Sequence, residues 1–331
     1  MSALRSAYDA LLVDLDGTVY KGPVAIDGAV DALCGGDQHV LYVTNNASRA
    51  PGDVAAHLRE LGLPASEQDV VTSAQSAAKL LAEQLPAGSA VLIVGTEALA
   101  DEVRQRGLAP VREAAAEPAG VVQGHSVDTG WTILAEAALA IRAGAVWVAA
   151  NLDPTLPSDR GMLPGNGSIV AALRTATGAE PQVAGKPAAP LMRDAVERSG
   201  AQSPLVVGDR LDTDIAGGCA AGIPTLLVLT GVSTPMDVLR APAGQRPDFI
   251  GADLKVLSRP ASDSVVGPVA GWSAYIDGDE LVLCSSSSTG APCDALRAAC
   301  SAAWAEPTFT RVLAGDDGAA TVLRQWGVEP V

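Results

Sequence analysis

The sequence predicts an α/β protein built on parallel β-sheet. Short apolar runs rich in valine alternate with amphipathic stretches of helical length. Strands that are apolar on both faces and separated by helices are typical of parallel sheets joined by helical crossovers. The predicted strands are ALLVDL (10–15), HVLYVT (39–44), AVLIVG (90–95), GVVQG (120–124), AVWVAA (145–150), PLVVG (204–208) and TLLVLT (225–230), and helices are predicted at GDVAAHLRELG (52–62), TILAEAALAIRAG (132–144) and LMRDAVERSG (191–200).

The last part of the chain has a different pattern. SRPASDSVVGP (258–268) is typical of a linker, and AYIDGDELVLC (274–284) predicts a hairpin with Asp277-Gly278 as its turn. A helix (293–306), a strand (311–315) and a closing helix (319–328) are predicted after it. Residues 265–331 are therefore expected to form a small, separate α+β module.

Composition limits the classes of function. The 331 residues exceed one typical domain, and no apolar run is long enough to span a membrane. The first residues lack the apolar core of a secretory signal, so a cytoplasmic location is expected. A formal net charge of −16 argues against nucleic acid or anionic lipid as a partner, and five cysteines without a CxxC pair argue against a disulfide framework or a structural zinc site.

Polar side chains close several of the predicted strands. Asp14 and Asp16 end the first strand, Thr44, Asn45 and Asn46 end the second, and Asp209 follows PLVVG. Ligands of open α/β sheets bind outside the carboxyl ends of the strands. Unpaired carboxylates in an apolar setting are costly, so these residues are expected to form a functional site.

Four segments in order resemble the motifs of the haloacid dehalogenase superfamily of phosphatases: LLVDLDGTVY (11–20), YVTNNAS (42–48), GKP (185–187) and VVGDRLDTDI (206–215). The resemblance implies a Rossmann-like core of residues 1–77 and 183–260. Roughly 140 residues separate the second and third motifs, too many for a loop. Residues 78–182 are therefore expected to form an inserted α/β cap of subclass IIA.

The acidic residues suit hydrolysis of a phosphate monoester. Asp14 is the expected nucleophile, which would form an aspartyl-phosphate, and Asp16 is the expected general acid and base. An anionic nucleophile facing phosphate calls for a hard cation, and magnesium is the expected ion. The resemblance implies Asp14, the main-chain carbonyl of Asp16 and Asp209 as metal ligands, with Asp214 orienting a water molecule beside the ion.

Other residues are expected to bind the substrate. The Thr44 hydroxyl, the backbone N–H groups of Asn45 and Asn46, and the Lys186 ammonium group would hold the phosphate. In the cap, the segment 151–173 resembles the family's substrate-facing loop and following helix, which nominates Asn151, Asp153 and the turn at 164–167. Pyridoxal-phosphate phosphatases of this family carry a histidine in the corresponding stretch, so the resemblance implies that TLPS (155–158), which has none, disfavours a ring-shaped leaving group.

The expected substrate is a small phosphorylated metabolite. Glycerol 3-phosphate is favoured over 2-phosphoglycolate, and the resemblance suggests a homodimer formed through the caps. A dehalogenase or mutase, and a regulator without catalytic activity, remain as alternatives. The C-terminal segment is similar to the cofactor-binding half of GCN5-related acetyltransferases but lacks their Gly-rich pyrophosphate signature, so a docking or stabilising role is expected.

Overall fold

The computed structural model describes residues 2–158, 160–286 and 291–329. Contacts between residues divide the chain into two compact units. Unit 1 consists of residues 1–40 and 201–331, and unit 2 consists of residues 41–200. The boundaries expected from the motifs (1–77 with 183–260, 78–182 and 265–331) follow a different criterion and remain a prediction.

Strands and helices alternate along most of the chain. The strands are β1 (Ala10–Val13), β2 (Tyr20–Lys21), β3 (Val24–Ala25), β4 (His39–Thr44), β5 (Val70–Thr72), β6 (Ala90–Val94), β7 (Ala109–Val111), β8 (Gly120–Gln123), β9 (Val146–Ala149), β10 (Thr155–Ser158), β11 (Gly161–Pro164), β12 (Gln182–Val183), β13 (Pro204–Gly208), β14 (Thr225–Val228), β15 (Phe249–Gly251), β16 (Trp272–Asp277), β17 (Glu280–Ser285) and β18 (Arg311–Ala314). The helices are α1 (Ala29–Cys34), α2 (Pro51–Glu60), α3 (Ser73–Ala82), α4 (Glu97–Gln105), α5 (Trp131–Arg142), α6 (Asn166–Thr177), α7 (Ala189–Ser199), α8 (Ala216–Ala221), α9 (Pro235–Leu239), α10 (Pro292–Ala305) and α11 (Asp317–Gln325).

Unit 1 contains a parallel arrangement of strands in the order β15-β14-β13-β1. The residues of β1, β13 and β14 are buried throughout, as expected for strands covered on both faces. Val13 pairs with Val207, so the carboxyl ends of β1 and β13 lie side by side. This register brings the residues that follow the two strands to one edge of the sheet.

Unit 2 contains the parallel pair β4-β5 and a five-stranded parallel sheet in the order β12-β9-β8-β6-β7. Helices cover both faces of the larger sheet. Val91 and Ile93 of β6 pack with residues of α3 and α4, whereas Leu92 and Val94 pack with residues of α5 and α6. The alternation of β6 side chains between two apolar clusters is that of a strand buried on both faces, and it confirms the α/β class.

The C-terminal segment of unit 1 has the strand, strand, helix, strand, helix order that the sequence predicted. β16 and β17 are antiparallel, and β18 adds parallel to β17. Asp277 pairs with Glu280, so the turn consists of Gly278 and Asp279, one residue later than predicted. Gly278 has a φ of 63°, a conformation that favours glycine and places it inside the turn.

The apolar core of this segment is continuous with that of the parallel strands of unit 1. One cluster of buried residues includes Leu283 of β17 and Leu296 of α10 together with Leu227 of β14 and Ile250 of β15. The segment therefore shares a core with the strands that precede it. No helix within the described residues is both long and apolar enough to cross a membrane.

Candidate active site

Three carboxylates of unit 1 form a cluster. Asp14, Asp209 and Asp214 each place one oxygen so that the three atoms lie within 4.8 Å of one another. Asp14 follows β1 and its N–H donates to the carbonyl oxygen of Val207 at 2.8 Å. Asp209 follows β13, and Asp214 lies in the helical turn Leu211–Ile215. The strand register therefore accounts for the meeting of Asp14 and Asp209.

The cluster suits a small divalent cation. Asp209 and Asp214 are buried and Asp14 is half-buried. Ionised carboxylates at this separation repel one another, and a bound cation offsets that repulsion. The donor set consists of carboxylate oxygens, which are the ligands that magnesium prefers in proteins. The residues present therefore fit the expected magnesium ion.

The Asp209 carboxylate is held from two directions. The N–H of Val232 donates to Oδ2 at 2.6 Å, and the hydroxyl of Thr18 donates to Oδ1 at 3.3 Å. The N–H of Ser233 also donates to the main-chain carbonyl of Asp209 at 3.2 Å. These bonds fix the direction in which the carboxylate points, which is what a metal ligand requires.

Two glycines allow the backbone to approach this carboxylate. A Cβ atom at Gly17 would lie 2.6 Å from Asp209 Oδ2, and one at Gly231 would lie 2.7 Å from Asp209 Cβ and closer still to the carboxylate. Gly17 has a φ of 86°, which also favours glycine. Side chains at these two positions would therefore displace Asp209.

The turn Leu211–Ile215 contains two acids, Asp212 and Asp214, which have different hydrogen-bond partners. The N–H of Arg210 donates to Asp214 Oδ2 at 3.1 Å, while its guanidinium group donates twice to Asp212, at 3.0 and 2.8 Å. The hydrogen bond from Arg210 lowers the pKa of Asp212. Asp212 is thus an ion-pair partner, and Asp214 is the acid of this turn that joins the cluster.

Asp16 is exposed, and its carboxylate is not part of the three-carboxylate cluster. It lies in a tight turn closed by the N–H of Gly17, which donates to the carbonyl of Tyr20 at 2.8 Å. The hydroxyl of Thr230 donates to the carbonyl of Gly17 at 2.7 Å. The roles expected of Asp16, general acid and base and main-chain metal ligand, remain predictions.

In unit 2, the second motif forms a compact turn after β4. The Thr44 hydroxyl accepts the N–H of Asn46 at 3.1 Å. The side-chain oxygen of Asn46 accepts the N–H and the hydroxyl of Ser48, at 2.8 and 2.9 Å. The side-chain oxygen of Asn46 thus closes the turn that follows β4.

Lys186 is buried beside the same strand. Its Nζ donates to the carbonyl of Val43 at 2.9 Å, which places the ammonium group next to Thr44. The Asn45 side chain bonds the main chain of Lys186 twice, accepting from its N–H at 2.8 Å and donating to its carbonyl at 3.0 Å. Asn45 therefore joins the second and third motifs and positions the lysine.

The two nominated cap residues also contact Asn45. Its Nδ2 lies 3.3 Å from each carboxylate oxygen of Asp153, and Asn151 Nδ2 donates to the Asn45 carbonyl at 2.7 Å. Asn166 Nδ2 donates in turn to the carbonyl of Asn151 at 2.8 Å. The segment 151–173, expected to form the substrate-facing loop and the following helix, contains the hairpin β10-β11 and the first part of α6, and Asp159 is outside the described residues.

The predicted site residues thus form two groups. Unit 1 brings together Asp14, Asp209 and Asp214, with Asp16 two residues beyond Asp14; unit 2 brings together Thr44, Asn45, Asn46, Lys186, Asn151 and Asp153. The sequence did not indicate the part that Gly231 and Val232 play in holding Asp209. A signal was present, because TGVS (230–233) follows the carboxyl end of a predicted parallel strand.

Comparison with known proteins gives three family matches. Residues 11–109 match the haloacid dehalogenase-like hydrolase profile, and residues 183–257 match a HAD-hydrolase-like profile. Residues 269–328 match the GCN5-related N-acetyltransferase like domain, in agreement with the resemblance seen in the sequence.

Similar proteins are known over most or nearly all of the chain. The D-glycerol 3-phosphate phosphatase of Mycobacterium tuberculosis is 51% identical over 99% of this chain and 96% of its own length. A crystal structure of glycerol phosphate phosphatase from M. tuberculosis in complex with magnesium is 53% identical, covers 99% of both chains and has a TM-score of 0.95. An acid sugar phosphatase of Staphylococcus aureus is 40% identical over 70% of this chain and 90% of its own length. The four motifs, the carboxylate cluster and these similarities together show that the chain belongs to the haloacid dehalogenase-like hydrolase family.

Proposed function

We propose that this chain is a magnesium-dependent phosphatase that hydrolyses glycerol 3-phosphate to glycerol and phosphate. The geometric observation that carries the phosphatase assignment is the cluster of Asp14, Asp209 and Asp214 at the carboxyl ends of adjacent parallel strands. The choice of substrate rests on the 51% identity to a D-glycerol 3-phosphate phosphatase over 99% of the chain.

The reaction proceeds in two steps on Asp14. Its carboxylate attacks phosphorus, a bond to the aspartyl oxygen forms, and the bond to the glycerol oxygen breaks. Asp16 gives its proton to the departing alkoxide. It then takes a proton from the water that attacks the aspartyl-phosphate, which releases phosphate and restores Asp14. Proton transfers of this kind are typically worth about 10² to 10⁴ in rate.

Magnesium held by Asp14, Asp209 and the Asp16 carbonyl, beside Asp214, would supply positive charge that offsets the repulsion between carboxylate and phosphate. Asp209 is suited to this role because two hydrogen bonds and two glycines fix its carboxylate. The buried position of Asp214 and its bond from the Arg210 N–H suit an orienting role.

Thr44 and Lys186 bind the phosphate in this proposal. The Lys186 ammonium group next to Thr44 provides a second positive charge for the phosphoryl oxygens. Asn45 acts through its side chain on Lys186, and the backbone N–H groups of Asn45 and Asn46 are the proposed additional donors. Any one of these groups stabilises charge that develops on the equatorial oxygens.

Asn151 and Asp153 are proposed to recognise the alcohol. The Asp153 carboxylate can accept hydrogen bonds from the two hydroxyl groups of the glycerol part. It would repel the carboxylate of 2-phosphoglycolate, so one side chain both attracts the first substrate and rejects the second. This is the physical reason to prefer glycerol 3-phosphate over 2-phosphoglycolate.

A phosphate-release assay tests the function. The purified chain is assayed with glycerol 3-phosphate, 2-phosphoglycolate, pyridoxal phosphate and nitrophenyl phosphate, with magnesium or with a chelator, and Asp14→Asn is the matched control. We expect the highest kcat/KM for glycerol 3-phosphate and no turnover with chelator or in the control. Equal turnover by Asp14→Asn would contradict the assigned nucleophile. Failure to hydrolyse any of these substrates would favour a regulator, and a better reaction with another substrate would overturn the choice of glycerol 3-phosphate.

We further propose that two copies associate through helix α5. Trp131 and Leu139 are 83% and 58% exposed. They are eight residues apart and so lie on one face of the helix. In this proposal a second copy covers these two exposed side chains. Light scattering after size exclusion should give a dimer for the native chain and a monomer for Trp131→Asp, and a native monomer would overturn the proposal.

A cytoplasmic location is the last part of the proposal. The five cysteines, which all lie within the described residues, are free thiols. Free thiols are usual in reducing compartments. Cell fractionation with an antibody to the native chain tests the location, and recovery from the culture medium would contradict it.

A further inference from the structure

The C-terminal segment has no part in the mechanism proposed above, yet it packs against an element close to the metal site. Helix α9 carries two residues, Val238 and Leu239, that are fully buried. They belong to the same apolar cluster as Ala295, Leu296 and Ala299 of α10. Helix α10 therefore covers the buried face of α9.

Polar contacts join the same two regions. The indole Nε1 of Trp304, in α10, donates to the carbonyl of Val238 at 2.9 Å. Arg240, just after α9, donates to the carbonyl of Thr310 at 3.0 Å. The guanidinium group of Arg246 lies 5.3 Å from the centre of the Trp304 ring, a cation–π contact that restrains the indole. The C-terminal end of α9 is thus fixed by Trp304 of the C-terminal segment and by Arg240 beside the helix.

The other end of α9 leads directly to Asp209. Thr234 caps the helix through a reciprocal pair of bonds with Asp237. The preceding residues, Val232 and Ser233, are those whose N–H groups bond Asp209. The Ser233 hydroxyl also accepts the N–H of Leu211, which starts the turn that carries Asp214. A stretch of eight residues, 232–239, therefore has one end on the carboxylate cluster and the other beneath α10.

We propose that the C-terminal segment positions the metal site, with Trp304 as the positioning residue that acts through α9 and the 231–233 loop on Asp209. A short capped helix is a stiff connection, so a shift at Val238 displaces the N–H groups that orient the carboxylate. The inference rests on the proposed function only in taking Asp209 as a magnesium ligand. It assigns the acetyltransferase-like segment a role that needs no acyl-group cofactor.

The test measures magnesium binding apart from catalysis. Trp304→Phe keeps an aromatic ring but removes the N–H, and calorimetric titration of the full chain with magnesium alone gives its affinity. We expect a roughly three- to fivefold weaker affinity, in the range of one lost neutral hydrogen bond. The magnesium concentration for half-maximal phosphate release should rise by the same factor, while kcat at saturating magnesium stays near the native value.

The matched control is Leu323→Ala in α11. Leu323 is fully buried in the same cluster, so its truncation lowers the melting temperature of the segment by leaving a cavity. We expect native magnesium affinity for this control. Native affinity in Trp304→Phe, or an equal loss in Leu323→Ala, would overturn the proposal, because the effect would then be absent or merely one of stability.

Two further variants keep the result interpretable. If Trp304→Phe does not fold, Arg240→Gln removes the bond to Thr310 from an exposed side chain, and the same change in magnesium affinity is expected. Asp209→Asn should abolish magnesium binding. If it does not, the metal assignment in the proposed function fails and the positioning proposal fails with it, whereas a native result in Trp304→Phe alone overturns only the positioning role.

Discussion

Replacing Gly231 by alanine should damage the metal site by a purely steric route. The added methyl carbon would lie 2.7 Å from Asp209 Cβ and closer still to the carboxylate. Carbon atoms in ordinary contact are about 3.5 to 4.0 Å apart, so the carboxylate or the loop must move by roughly 1 Å. Gly231 is not among the glycines with positive φ, so the substitution adds no backbone strain.

Two estimates of the loss caused by Gly231→Ala, one of rate and one of magnesium affinity, agree. A misplacement of about 1 Å in a reacting group costs about 10² in rate. The movement also breaks the 2.6 Å bond from the Val232 N–H to Asp209. A hydrogen bond to a charged group is worth about 1.5 to 3 kcal/mol, which corresponds to roughly 10- to 150-fold in affinity. We therefore expect magnesium affinity and kcat/KM to fall by about 10- to 100-fold.

Calorimetric titration with magnesium and phosphate release from glycerol 3-phosphate measure both quantities. Gly244→Ala is the matched control, since a Cβ there meets no atom within 4 Å and Gly244 has no positive φ. The control should match the native chain. Native affinity and turnover in Gly231→Ala would refute the claim that this loop presses on Asp209 and orients it.

Four other predictions concern single side chains. Asp16→Asn should lower kcat by about 10² to 10⁴ at unchanged magnesium affinity, as stopped-flow and titration would show. Lys186→Met, which retains the length of the side chain, should lower kcat/KM by about 10² to 10³ without loss of folding, checked by steady-state kinetics and circular dichroism. Asp153→Ala should reduce the preference for glycerol 3-phosphate over 2-phosphoglycolate, measured as the ratio of the two kcat/KM values. Burial raises the pKa of Glu102 from 4.5 to about 6, so the folded chain keeps a proton that the unfolded chain releases, and stability falls as the pH rises through this interval. Glu102→Gln should therefore gain stability over the native chain between pH 4.5 and 6, reaching at most roughly 2 kcal/mol above it in denaturant unfolding.

The parallel strands were predictable because both of their faces are buried. HVLYVT was predicted as a strand over 39–44, and β4 covers the same residues. β5 was not predicted, because three residues give too short an apolar run to distinguish a strand from a loop. The hairpin β10-β11 was predicted as part of a loop, and its residues include prolines. The side chains of β11 are exposed in the structure, so no buried face marks this segment as a strand.

The meeting of Asp14 and Asp209 at one edge of the sheet was predictable for a topological reason. Residues that follow parallel strands gather at one edge of a sheet, so Asp14 and Asp209 were expected at the same edge before the register of Val13 and Val207 was known. The order of four motifs supplied Asp214 and Lys186. No local pattern marked which strands would be adjacent, and that information came from the fold.

The hydrogen bonds that orient these residues were not predictable. Val232 and Asp209 are separated by 23 residues, and Asn45 and Lys186 by 141. The sequence predicted Asn45 as a phosphate-binding residue, and the structure adds that its side chain bonds the main chain of Lys186. A short polar side chain forms such bonds only where the fold brings a distant main chain within reach, and spacing along the sequence does not report this.

The distribution of site residues over the two units has a kinetic consequence. Unit 1 carries the proposed nucleophile, Asp14, and the carboxylate cluster, so variants of these residues should change the magnesium dependence and the chemical step. Unit 2 carries the groups assigned to the phosphate and the alcohol, so Asn151 and Asp153 variants should change KM and substrate preference at constant magnesium affinity. Because Asn45 bonds both Lys186 and Asp153, Asn45→Ala should affect phosphate binding and alcohol selection together. A residue that bound only the phosphate, or only the alcohol, would alter one of these properties and leave the other unchanged. The combined effect therefore distinguishes a positioning role for Asn45 from direct binding of the substrate.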